Sequence, residues 1–410
     1  MYRTIFLLAA GLLAGAHVHA QEAAQEPAVP LTLAAAQALA VGNNATLSAA
    51  RHELAAQGGA LQQAQTLPNP ELQTLVEDTR RATRSTTVQL NQLIELGGKR
   101  GARTQVAQRG QEVAEAALAM QQADTRAAVT KTFIDVLAAQ EGLRLADSAQ
   151  ALAARASDIT ARRVTAGKAS PVEETRARVA EASVRLELNL ARGALASARK
   201  RLAALWGNPA PRFSIAEGRL DDLPPLPASS ELATRLQHAP ALRQARSALA
   251  QRQAMLDVEQ RRATPDITVS VGMKRSEELG RSQAIIGLSM PLPLFDRNAG
   301  NKLEALRRSD KASDELAATT LDVQTALADA RERLSTARLD VESLRRDILP
   351  GAQSAYDAAT KGFEFGKFSL LDVLDAQRTL LQAKNQTLRA LTEAQQAAAE
   401  IERLLGAPAL

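Results

Sequence analysis

Two short runs in the second half of the chain alternate apolar and small polar residues with a period of two. Ile267, Val269, Val271 and Met273 fall on one side, and Thr268, Ser270 and Gly272 on the other. After the polar turn Lys274–Ser282, Ala284, Ile286, Leu288 and Met290 alternate with Gln283, Gly287 and Ser289. The first half carries a weaker version. Leu72, Thr74 and Val76 alternate with Gln73 and Leu75, then Val88, Leu90 and Gln92 with Gln89 and Asn91. Alternation of this kind predicts strands whose two faces meet different solvents, over about 71–94 and 266–291. The apolar solvent is either a protein core or lipid.

Around the strands the period changes. Leu33–Thr66 is helical in composition and stops at Pro68-Asn69-Pro70. Arg103 to Arg163 contains no proline, and its internal glycines are Gly110 and Gly142; as a helix it would run roughly 90 Å. Val106, Val113, Met120, Ala127 and Ile134 recur every seven residues, as do Leu327, Leu334, Val341 and Ile348, flanked by Val323, Ala330, Ala337 and Leu344. Sustained heptads predict long helices packed as coiled coils. Gly167-Lys168-Ala169-Ser170-Pro171 and Gly366-Lys367-Phe368-Ser369 turn each helix pair into a hairpin, with Ser170 and Ser369 as N-caps and Glu173 and Asp372 three positions on. Pro350-Gly351 interrupts the last ascending helix.

The chain repeats itself. At a constant offset of 195, Leu47, Arg51, Leu54, Ala55, Leu61 and Pro70 match Leu242, Arg246, Leu249, Ala250, Leu256 and Pro265. At an offset of 199, Gly101 matches Gly300, Gly167-Lys168 matches Gly366-Lys367, and Gly207 and Pro209 match Gly406 and Pro408. Residues 21–209 therefore hold one helix–strand–strand–helix–helix unit, with its helical hairpin over about 103–206, and 227–408 hold a second, with its hairpin over about 301–405. A segment rich in proline, 210–226, links them.

Residues 1–20 read as a cleaved signal peptide, with one Arg, an apolar run of a dozen residues and Val18-His19-Ala20 before the cut. The run is too short to span a bilayer, and no cysteine follows for a lipid anchor. Aromatics make up 2% of the chain and cysteine is absent, so a thick globular core, disulfides and thiolate sites are excluded. Fifty basic and 45 acidic residues are interspersed, without the stripe that nucleic acid requires. His52 and His238 stand alone in helical settings, and no phosphate loop or nucleophile elbow occurs. The chain is expected to be no enzyme, with no cofactor and no dedicated metal site.

Four strands cannot close a barrel, and an open edge cannot stand in lipid. Two chains would give eight strands, whose interior side chains fill; three give twelve and a lumen, which the helices would continue as a twelve-helix tube. A soluble helical-hairpin protein with small β-ribbons is the alternative.

Signal peptide, duplicated units and paired glycine breaks together resemble the TolC family of trimeric outer-membrane efflux channels, most specifically in Lys361–Leu380, KGFEFGKFSLLDVLDAQRTL. Pro68-Asn69-Pro70, Ile94–Arg103 and Met290–Gly300 are similar to the heavy-metal, Czc-type branch. The resemblance implies a mainly α protomer with a β-barrel portion, and a homotrimer in outer-membrane lipid. It also implies a periplasmic adaptor as partner and, through it, an inner-membrane proton-driven pump of the RND type. Substrate, divalent heavy-metal cations in that branch, would be conducted passively. Channels for drug efflux or type I protein secretion, or a periplasmic adaptor, are the alternatives. Carried onto this sequence, the periplasmic constriction falls at Asp372, Asp375, Glu173, Phe363 and Phe368. The adaptor contacts fall at Val164, Gly167, Ser170, Phe365, Gly366 and Ser369. Members that lock this mouth carry a Tyr and an Arg near it; Phe363 and Phe368 stand there instead.

Overall fold

The computed structural model describes residues 30–406; the expected signal peptide, residues 1–20, and Pro408 lie outside them. A two-residue strand, β1 (Leu31–Thr32), leads into α1 (Leu33–Asn43) and α2 (Ala45–Ala64). The single helix expected over Leu33–Thr66 is thus two. Asn44 has extended backbone, and its side chain accepts from Leu47 N at 3.0 Å, capping the second. A hairpin of β2 (Glu71–Glu77) and β3 (Ser85–Ile94) precedes α3 (Lys99–Thr165), whose 67 residues run about 100 Å. Then comes α4 (Pro171–Ala204).

After β4 (Ala216–Glu217), which pairs with β1 in parallel, the order recurs: α5 (Ser229–Leu236), α6 (Pro240–Arg261), β5 (Ile267–Ser276), β6 (Arg281–Ser289), α7 (Ala299–Ser343), α8 (Leu349–Glu364) and α9 (Leu370–Leu405). Pro350 does not break the ascending helix. A five-residue π segment, 344–348, joins α7 to α8, and Pro350 sits in the first turn of α8, where its missing N–H costs little. The π segment inserts one residue into the packing phase. Ala330, Ala337 and Leu344 are buried at intervals of seven, but the next buried position in that row is Ala352, then Ala359. Ile348, which the heptad placed in the seam, is exposed.

Each repeat has its own core at mid-length. In the first, Leu31 and Leu39 pack with Val129, Phe133 and Val136 of α3 and Leu202 of α4, beside Trp206 and Phe213. In the second, Leu232 and Leu242 pack with Leu327 and Leu334 of α7 and Ile401 of α9. Helix α3 holds the repeats together, since it packs on α6 above and on α9 below. The α3–α9 seam is ionic. Lys131 and Arg403 both reach Glu400, Arg403 also bonds Asp124 at 3.0 Å, and Gln396 donates to Asp135 at 2.7 Å. Burial disfavours the Glu400 charge, yet hydrogen bonds from Arg403 and Lys131 outweigh it and hold its pKa at about 2. The Pro-rich segment is strapped to the second repeat: Arg345 pairs with Asp221 at 3.1 Å, and Gln395 donates to the Asp222 carbonyl at 2.6 Å.

Candidate pore mouth and membrane-facing sheet

The two hairpins join through β3 and β5 into one antiparallel sheet of order β2-β3-β5-β6. Register sorts the side chains by face. One face carries the rows Leu72–Leu90–Val271–Ile286 and Thr74–Val88–Met273–Ala284. The opposite face carries Glu71–Asn91–Ser270–Gly287 and Leu75–Thr87–Lys274–Gln283, with Leu75, Leu93 and Ile285 as its apolar exceptions. On that polar face Gln89 and Asn91 both donate to Gln73 Oε1, at 2.7 and 3.1 Å. Among the described residues nothing covers the apolar face: Leu72 is 73% exposed and Ile286 84%. A contiguous exposed apolar face of this kind marks a surface built for something other than water.

Both hairpin tips use one device. Gly167 and Gly366 take φ of 71° and 73°, and the next amides close on the helix ends, Lys168 N on Arg163 O at 2.8 Å and Lys367 N on Gly362 O at 2.7 Å. This left-handed C-cap satisfies carbonyls that the helices leave open. At the second tip Ser369 Oγ accepts from Asp372 N, and Asp372 Oδ2 accepts from Ser369 N at 2.8 Å, a complete capping box. At the first tip Ser170 Oγ instead accepts from Val172 N at 3.3 Å, and the Glu173 amide bonds the Ser170 carbonyl.

Of the residues assigned to the constriction, Asp372 and Asp375 are exposed one turn apart on α9, and Glu173 is half-buried at the start of α4. Hydrogen bonds from the Ser369 hydroxyl and amide lower the Asp372 pKa, so it is ionised at neutral pH. Phe368 is half-exposed, and its ring lies over Gly362 where any Cβ would collide. Phe363 is buried within the protomer. It is 3% exposed, packed with Ala177, Ala359, Leu370 and Val373, because its position near the end of α8 points it between the two hairpins.

Sequence reasoning missed the residue that holds Phe363. Arg163, in the last turn of α3, donates from Nη1 to the Phe363 carbonyl at 2.6 Å and stacks over its ring at 4.5 Å. A cation at the C-terminal end of α8 also suits the helix dipole. Among the adaptor-contact residues, Val164 is half-buried, while Gly167, Ser170, Gly366 and Ser369 are exposed and Phe365 is 79% exposed. With Val172, Phe368 and Leu371 it gives the tip end an apolar surface.

The fold and sequence have clear relatives. The structure of CusC, studied for transmembrane channel formation, superposes with a TM-score of 0.79 at 18% identity over 92% of each chain. The open-state MtrE outer-membrane channel of Neisseria gonorrhoeae gives 0.78 at 21% identity, over 92% of this chain and 89% of that one. The cobalt-zinc-cadmium resistance protein CzcC of Cupriavidus metallidurans is 50% identical over 382 residues, 93% of this chain and 91% of the relative. The model of the outer membrane efflux protein family matches residues 36–208 and again 232–407, and the chain belongs to that family.

Proposed function

We propose that three copies of this chain form an outer-membrane channel through which divalent heavy-metal cations leave the cell, delivered by an inner-membrane pump and a periplasmic adaptor. The observation that carries the membrane assignment is the four-stranded sheet, with one bare apolar face, one polar face and two unpaired edges. An apolar face suits lipid only if the edges are closed. Three copies would close them as twelve strands with the polar face inward, wide enough for a lumen. Likeness to a cobalt-zinc-cadmium resistance protein supports the metal substrate.

Within this reading Asp372 and Asp375 ring the periplasmic mouth with six carboxylates, because residues three apart share a helix face. Such a ring favours cations. Its test is the double variant Asp372→Asn with Asp375→Asn in planar bilayers. The variant is expected to insert as a trimer and lose most of its cation preference and divalent block. Unchanged selectivity would reduce both residues to capping and surface groups.

The tips meet the adaptor. Gly366→Val puts a β-branched residue at a φ of 73°, at a cost of about 1–2 kcal/mol. Cells carrying it are expected to lose metal tolerance while the chain still reaches the outer membrane. Full tolerance would show that the tip makes no close contact.

A further inference from the structure

The strand β6 ends early, at Ser289, and the residues beyond it are bare: Met290, Leu292 and Leu294, alternating with Pro291 and Pro293, are exposed. The internal repeat identifies the partner of this segment. Thr268 is the repeat-equivalent of Gln73, as Pro265 is of Pro70. In the two hairpins Gln73 lies opposite Gln89 and Thr268 opposite Ser289, so Gln89 and Ser289 are equivalent positions. Leu90, Gln92 and Ile94 therefore correspond to Met290, Leu292 and Leu294.

Strand β3 continues to Ile94 because a second strand supports it: Leu90, Gln92 and Ile94 lie opposite Val271, Val269 and Ile267 of β5. The equivalents of those three in β2 are Val76, Thr74 and Leu72. Both β6 and β2 are sheet edges. Resting on the three-copy reading, we infer that residues 290–294 are the last part of β6 and pair with β2 of the adjacent copy, Met290 opposite Val76, Leu292 opposite Thr74 and Leu294 opposite Leu72. The joint between copies repeats the joint between repeats, as a constant strand tilt around a closed barrel requires.

Hydrogen-bond direction agrees independently. Glu277 N donates to Arg84 O one step beyond the β3–β5 ladder and in its register, so even-numbered residues of β3 bond β5. By equivalence, the even-numbered residues 290, 292 and 294 bond the neighbour. Pro291 and Pro293 fall at the odd positions, whose missing N–H groups point back toward β5, where the ladder ends at Ser289. The pairing also places Met290, Leu292 and Leu294 on the apolar face. In the single protomer Leu294 N closes instead on Leu292 O at 2.8 Å, a local turn that the incoming strand would open.

The chain has no cysteine, so the register can be read by disulfide capture in the full-length protein. Opposed positions lie about 5.5 Å apart between Cα atoms, within disulfide reach, whereas a slip of two residues puts the two positions about 7–8 Å apart, beyond the roughly 7 Å between Cα atoms that a disulfide bridges. Leu292→Cys with Thr74→Cys, oxidised in the membrane, is expected to run mostly as covalent trimer on a heat-denatured, non-reducing gel. Leu292→Cys with Leu72→Cys, or with Val76→Cys, is expected to run as monomer. Light scattering in detergent separates the two layers of the claim. A trimer that links through either control pair, or through none, overturns the register alone; a monomeric chain overturns the three-copy reading and the register with it.

Discussion

Gly272→Ala is expected to abolish assembly, although it adds one methyl group. Gly272 lies opposite Gln89 in the β3–β5 ladder, and a Cβ there would stand 2.5 Å from the Val88 carbonyl oxygen and 2.6 Å from Gln89 Cβ. Neither atom is the end of a flexible side chain, so relief requires the strands to part. Overpacking of this kind costs about 1–3 kcal/mol in a well-supported core. Here it falls on the one ladder that joins the two repeats into a single sheet. The chain is expected to be exported but recovered as monomer or aggregate, with loss of the trimer band on an unheated gel. Wild-type trimer yield from Gly272→Ala would show that the two hairpins do not depend on this contact.

Glu400 is the other position where a single change is expected to have a large effect. It accepts from both Lys131 and Arg403 in the half-buried seam between α3 and α9. Glu400→Ala leaves two cations facing each other without the charge between them. Breaking a buried pair costs about 3–5 kcal/mol, and the partial exposure of the partners brings this nearer 2–3 kcal/mol. Thermal unfolding of the helical tube, followed by circular dichroism in detergent, is expected to shift down by several degrees. Lys131→Met alone is expected to cost less, because Arg403 remains bonded to Glu400 at 2.7 Å and to Asp124 at 3.0 Å. Equal losses for the two variants would mean that Glu400 is not the hub of the network.

Local period governs how much of this fold is legible in the sequence, and distance along the chain governs how much is hidden. The β5 and β6 runs alternate so cleanly that their strands lie within the expected span, as do the glycine turns of both hairpins, where a positive φ needs glycine. The heptad of α7 stays legible through Leu344 and then fails, because a π segment carries no residue signature that composition reveals. Asn44 is readable in principle, since Gly42-Asn43-Asn44 is a stop and a cap, but the apolar pattern continues across it. The pairing of β3 with β5 and the bond from Arg163 to the Phe363 carbonyl join segments about 170 to 200 residues apart. No period along the chain can show either. The burial of Phe363 escapes the sequence for the same reason: its partner lies in the other repeat.

If this chain is the exit duct for heavy-metal cations, its loss alone must trap them. The deciding measurement is the metal content of cells lacking only this chain, with pump and adaptor intact, after exposure to cobalt, zinc or cadmium. The deleted cells are expected to retain several-fold more metal and to stop growing at concentrations the parent tolerates, and the full-length chain supplied in trans should restore both. Deleted cells that clear metal and grow as the parent does would contradict the exit-duct role.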